Sequence, residues 1–175
     1  MFKIVQEEIL TNKKSGVLTR FFMINYRYGR YLYLFRKKSK YSKWLLFIPY
    51  ALCLFLAKLM SSYIGGSLPF SASVGKNLRL PHGLSGVFIS GLATIGNDCT
   101  ILHQVTIGSN LGRNKKTYAS PQIGNNVFIG AGAKIIGDLV LGNGCLVGSN
   151  ALVVKSVPDG RRCLAPEAKV LIIKG

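Results

Sequence analysis

The chain has 175 residues, of which 23 are Lys or Arg and only 6 are Asp or Glu, for a formal charge of +17. Apolar residues make up 49% of it, too many for a disordered basic tail, and the length suits one domain with an appendage. So few carboxylates exclude a clustered acidic Ca²⁺ or Mg²⁺ site, and beyond Glu7-Glu8 none are paired for glycoside hydrolysis.

The N-terminus, MFKIVQEEIL, has no basic segment followed by an apolar run and a cleavage site. The expected compartment is therefore the cytoplasm or the inner face of its membrane, and the thiols of Cys53, Cys99, Cys145 and Cys163 are expected to be free. No CxxC or CxxH pair is present, so no metal site is expected.

Residues 1–66 read as a short basic and aromatic α-helical region. Its first 43 residues carry 11 Lys or Arg against 2 acids. On a helical wheel Arg20, Arg27, Arg30, Lys37 and Lys38 fall within an arc of about 100°, with aromatic residues around much of the rest. An uncharged run follows from Trp44 to Ala57, shorter than the roughly 20 residues of a membrane-spanning helix. Two readings stay open: docking on an anionic membrane surface, or packing on the main domain with the charges solvated. Nucleic acid is not expected, because no recognition fold surrounds the basic face.

The pattern changes after Gly65-Gly66. An aliphatic residue returns at every sixth position: Ile89, Ile95, Ile101 and Ile107, then Ile123, Ile129, Ile135, Leu141, Val147 and Val153. Four positions after each comes a second apolar residue, Cys99 and Cys145 among them, whose expected role is packing. Neither a 3.6-residue nor a 2-residue period explains six. A short strand plus a tight turn does, and three such units close a triangular coil of 18 residues whose neighbours stack at about 4.8 Å. The fold class expected for 67–175 is thus mainly β, a parallel β-helix of hexapeptide repeats. Two interruptions break the beat: three extra residues between Leu80 and Ile89, and four beyond two hexads between Ile107 and Ile123. The second is expected to project as a basic loop over 109–121, carrying Arg113, Lys115 and Lys116 toward an anionic sugar or lipid phosphate.

These stretches resemble the left-handed β-helix acyltransferases of the hexapeptide-repeat family. The resemblance rests on Leu80-Pro81-His82-Gly83, on 95–108 around Leu102-His103-Gln104, on 123–137 and on Ser156-Val157-Pro158-Asp159-Gly160. It is nearest to the serine-acetyltransferase-like branch, and within it to colanic-acid and capsular polysaccharide O-acetyltransferases. Against true serine acetyltransferases, acidic positions align with Pro81, Ser67 and Gly91, and a histidine position aligns with Ser120. A free amino acid needs charge partners, so these losses lead to the expectation of a saccharide or lipid-linked saccharide acceptor in polysaccharide biosynthesis. L-serine is the alternative acceptor, and a non-catalytic scaffold the alternative from another class.

The chain's two histidines share a register. His82 is third in the hexad led by Leu80 and His103 third in that led by Ile101. Their separation of 21 is one coil plus the three inserted residues, which stacks the imidazoles on one edge. Imidazole can take the proton of a hydroxyl nucleophile near neutral pH. The resemblance implies direct acetyl transfer from acetyl-CoA with His82 as general base, and His103 orienting it or holding the acceptor. Either ring could be the base. The resemblance also implies a homotrimer, a pantetheine path along Gly130, Ala131 and Gly148, and CoA phosphates met by Lys134, Lys155, Arg161, Arg162 and Lys169.

Overall fold

The computed structural model describes residues 2–38, 40–110 and 119–167. Four helices lead the chain: α1 (Phe2–Thr11), α2 (Val17–Arg36), α3 (Lys40–Leu45) and α4 (Phe47–Ile64). α4 stops at Gly65, whose left-handed backbone (φ 70°) returns its N–H to the Ser61 carbonyl. Twelve short strands follow among the described residues: β1 (Ser73–Val74), β2 (Phe88–Ile89), β3 (Thr94–Ile95), β4 (Thr100–Ile101), β5 (Thr106–Gly108), β6 (Gln122–Ile123), β7 (Phe128–Ile129), β8 (Lys134–Ile136), β9 (Val140–Leu141), β10 (Leu146–Val147), β11 (Leu152–Val153) and β12 (Arg162–Cys163).

The strands form three parallel sheets, each taking one strand per coil: β1-β3-β6-β9, β4-β7-β10-β12 and β2-β5-β8-β11. Each lead aliphatic of the hexads is buried, Ile101, Ile107, Ile129, Ile135, Leu141 and Val147 completely, and they stack in register from coil to coil. The register confirms the 18-residue coil: Phe88 pairs Thr106, Phe128 pairs Leu146 and Lys134 pairs Leu152. Between Arg79 and Thr100 the step is 21, so the three extra residues sit in the turn at 81–86. The second interruption is larger than the hexad arithmetic suggests. Ile107 and Ile123 lead consecutive strands and Ile95 pairs Ile123 across 28 residues, so ten residues are inserted rather than four. The period alone miscounted because an insertion longer than a hexad can be mistaken for a hexad plus a shorter one. Arg113, Lys115 and Lys116 lie outside the described residues.

The turns explain the polar half of the repeat. Asn77, Asp98, Asn126 and Asn150 hold left-handed backbone with φ between 55° and 57°, which short polar side chains tolerate. Along one edge the side chains then bridge coils. Asn97 accepts from the Lys76 N–H, Asn125 from the Asn97 N–H, Asn143 from the Asn125 N–H and Asp159 from the Asn143 N–H, at 2.8–2.9 Å. Cys99 and Cys145 are buried; burial pushes the Cys99 thiol up, and it donates to the Gly124 carbonyl at 3.2 Å.

The helices and the first coil share one core, in which Phe22, Met23, Tyr26 and Leu32 of α2 meet Phe70 and Ala72. Gly29 lets α2 approach, since a Cβ there would lie 2.3 Å from the Phe70 ring. The basic arc is split: Arg27 and Arg30 turn to the first coil, while Lys37 and Lys38 stay exposed. The Arg27 guanidinium bonds the carbonyls of Val74 (2.6 Å) and Gly75 and pairs with Glu8. Arg30 reaches the Phe70 and Ser71 carbonyls at 3.1 and 3.2 Å and the Ser73 hydroxyl at 3.0 Å. These arginines satisfy carbonyls of the first coil's approach, a role no helical wheel can show. Glu8 is buried, and burial raises its carboxyl pKa even though Arg27 pulls it down. Asn12 completes the seam, donating to the Leu78 carbonyl and accepting from the Leu80 N–H.

Candidate functional site

His82 and His103 meet, as their shared hexad position requires. His82 follows the Arg79–Thr100 bridge and His103 follows β4, so both occupy the same edge one coil apart. Their Nδ1 atoms are 2.8 Å apart and the ring centroids 4.9 Å, with the planes tilted by 54°. One ring must donate an Nδ1–H and the other must offer an Nδ1 lone pair. The neutral donor ring then has a bare Nε2, a proton acceptor held in place by the second ring.

The backbone around His103 is held in an uncommon conformation. Gln104 has φ 58°, and three bonds hold it there. Its N–H donates to the Ser85 carbonyl (2.8 Å), its own carbonyl accepts the Lys134 ammonium (2.7 Å), and the Gly132 N–H binds the His103 carbonyl (3.0 Å). Lys134 thus stands beside the histidine edge with its charge on a main-chain oxygen.

A cleft of about 370 Å³ opens at His82. One wall is Gly83, Leu84 and Ser85; the other is the α1–α2 turn at Ser15 and Gly16, the start of α2 and the end of α4 at Tyr63 and Ile64. The helical region therefore builds half of the cleft, a contribution sequence reasoning missed. The only local signal was Ser15-Gly16, where a left-handed glycine (φ 88°) precedes α2. No carboxylate lines the cleft among the described residues.

The residues expected at CoA divide. Gly130, Ala131 and Gly148 follow β7 and β10 and continue the histidine edge along the next coils. Gly130 is also required by packing. A Cβ there would lie 2.6 Å from the Ser149 nitrogen, so coil stacking already demands glycine. Arg161 and Arg162 are exposed, with β12 against β10 on the sheet that feeds this edge. Lys155 follows β11 and lies on a different edge. Lys169 lies outside the described residues. Also unforeseen is a ring of hydroxyls at the base of the loop, where Ser90, Ser109 and Ser120 bond one another at 2.6–2.8 Å. Among the described residues no group of three or more His, Cys, Asp or Glu lies together.

Comparison with known proteins extends the likeness. Residues 120–155 match the family described as bacterial transferase hexapeptide (six repeats). The chain is 36% identical over 114 residues to a serine acetyltransferase of Buchnera aphidicola, covering 65% of this chain and 36% of that one. It is 40% identical over 83 residues to a serine acetyltransferase of Helicobacter pylori, covering 47% and 46%. The chain thus spans less than half the length of these curated relatives. Among solved structures it resembles serine acetyltransferase isoform 3 of Entamoeba histolytica in complex with cysteine, with TM-score 0.76, 24% identity and coverage of 99% and 61%. It also resembles the Neisseria gonorrhoeae serine acetyltransferase in complex with serine, with TM-score 0.73, 26% identity and coverage of 97% and 68%.

These findings correct the expected branch. The relatives are serine acetyltransferases, not colanic-acid or capsular O-acetyltransferases, and the saccharide acceptor is overturned with it. The elimination failed because absent acidic side chains show what a site lacks, not what else it binds. The chain carries the hexapeptide repeat of the bacterial transferases, on a mainly β fold of parallel sheets shared with the serine acetyltransferases.

Proposed function

We propose that this protein is an acetyl-CoA-dependent O-acetyltransferase whose acceptor is the hydroxyl of L-serine. The observation that carries the reading is the His82–His103 pair, joined Nδ1 to Nδ1 at 2.8 Å beside a cleft. Relatives named serine acetyltransferases support the acceptor, and a related structure in complex with CoA supports the donor.

The bare Nε2 of the donor imidazole takes the serine hydroxyl proton as the oxygen attacks the thioester carbonyl. The C–S bond breaks, the acetyl group passes to the serine oxygen, and the imidazolium returns its proton to the CoA thiolate. No acyl-enzyme is needed. With no carboxylate in the cleft among the described residues, the serine ammonium is met by carbonyl and hydroxyl oxygens such as those of Ser15 and Ser85. The pantetheine arm runs past Gly130, Ala131 and Gly148. Lys134, Arg161 and Arg162 meet the phosphates, and Lys155 and Lys169 belong to the same proposed set. The coil is left-handed, 1–66 and 67–175 are the two working regions, and the protein acts as a homotrimer in the cytoplasm.

Release of free CoA thiol from acetyl-CoA in the presence of L-serine tests the reading. The wild type releases thiol in proportion to O-acetylserine formed. His82→Ala and His103→Ala each lower kcat by about 10²–10⁴-fold with the fold retained by circular dichroism. Thiol release no faster with serine than without it overturns the acceptor; full turnover in both variants overturns the mechanism.

A further inference from the structure

The first helices carry a surface that acetyl transfer does not use. α4 packs through one stripe only, in which Leu46, Tyr50, Cys53, Ala57, Met60 and Ile64 face the core. Its opposite stripe, Ile48, Leu52, Phe55 and Leu59, recurs at helical spacing and is exposed, Ile48 by 78% and Phe55 by 61%. Surface helices ordinarily place charge there, but here the stripe continues at its N-terminal end into Trp44 (86% exposed) and Leu45.

Cations collect at that same end. A mainly apolar groove of about 440 Å³ is lined by Arg36, Lys43, Trp44, Phe47 and Ile48. Arg36 lies over the Tyr50 ring at 4.5 Å, Lys37 over Tyr33 at 4.8 Å and Lys38 over Phe35 at 5.9 Å. No Asp or Glu occurs between Glu8 and Asp98, and Glu8 is already paired with Arg27.

We propose that this surface docks the protein on an anionic phospholipid bilayer, with Trp44 and the outer stripe of α4 in the acyl boundary and Arg36, Lys37, Lys38 and Lys43 at the phosphates. Charge complementarity selects the occupant. A second copy placed isologously on the stripe brings two cation clusters together, and no carboxylate of 9–97 in either copy is there to receive them. α4 lies in the interface rather than across it. By length and apolar composition alone its 18 residues could cross, but its inner side is held to α2, where Asn25 donates to the Cys53 carbonyl. A shallow burial of about 5–10 Å suits such a helix.

Trp44 is the chain's single tryptophan and reports directly. The 175-residue protein is mixed with vesicles of phosphatidylcholine containing phosphatidylglycerol, or of phosphatidylcholine alone. Binding to the anionic vesicles is expected to pellet the protein, shift Trp44 emission to the blue and allow quenching by lipids brominated high on the acyl chain. High salt reverses it. Replacing Lys37 and Lys43 by Gln weakens binding about fivefold per cation removed. Phe55→Glu abolishes it while leaving the thermal melt unchanged, because the residue faces outward. Four results would each overturn the proposal: no response to anionic vesicles, the same shift with inorganic phosphate alone, emission that is already blue and depends on protein concentration, or resistance to alkaline carbonate extraction, which marks a spanning helix.

Discussion

The β-helix and the helical region bury their apolar residues by different geometry. In the β-helix the lead residue of nearly every hexad points into one closed prism, so burial is settled by position in the repeat, and coils extend it like bricks. In the helices, apolar side chains surround α4 on both sides, yet Cys53 alone is fully buried among its described residues. A solenoid encloses its own core, whereas a helix buries only the side against which something packs. Composition is therefore a reliable guide to burial in one region and a poor one in the other.

The seam between the regions offers the strongest way to break that contrast. Arg27→Ala strips the charge partner from buried Glu8 and leaves the Val74 and Gly75 carbonyls without their donor. We expect a loss of about 3–5 kcal/mol in chemical denaturation, which is large for a residue on a basic arc. Glu8→Gln should cost clearly less, because burial already raises the Glu8 carboxyl pKa and an amide can still accept from the guanidinium. Equal losses for the two variants would mean that the ion pair, not the carbonyl contacts, holds the seam.

The contrast is sharpened by two aliphatic deletions. Ile129→Ala hollows the prism at a fully buried hexad lead and should cost about 2–5 kcal/mol. Leu52→Ala, on the outer stripe of α4, should stay within about 0.5 kcal/mol in the same assay. A comparable loss at Leu52 would show that the stripe is covered in the protein alone.

Smaller than the losses at Arg27 and Ile129 is an expected pH dependence. Tyr26 is fully buried and donates to the Ala72 carbonyl at 2.8 Å; burial raises its pKa from 10.0 to about 12, although Arg30 and Arg27 oppose the rise. The folded state holds this proton more tightly than the unfolded chain. Its contribution is therefore complete below about pH 10 and is lost as the pH climbs through about 12. Tyr26→Phe should cost about 0.5–1.5 kcal/mol at neutral pH and flatten that alkaline fall in pH-dependent melts.

Much of the site was legible because the repeat converts sequence distance into space. Twenty-one residues between His82 and His103 equal one coil plus the bulge, and the rings touch. The cleft was not legible, since its far wall comes from Ser15, Gly16 and Tyr63, which share no period with the histidines. Nor was the packing demand at Gly130 legible, where a Cβ would meet the backbone of the next coil at Gly148 and Ser149.

By itself the sequence determined the prism, its inward residues and the meeting of the imidazoles, because a six-residue beat is local and self-propagating. Tertiary structure alone decided that Arg27 and Arg30 turn to main-chain carbonyls, that helices wall the cleft and that one side of α4 stays bare. Those outcomes depend on which surfaces meet across tens of residues, and no periodicity within a segment encodes its partner.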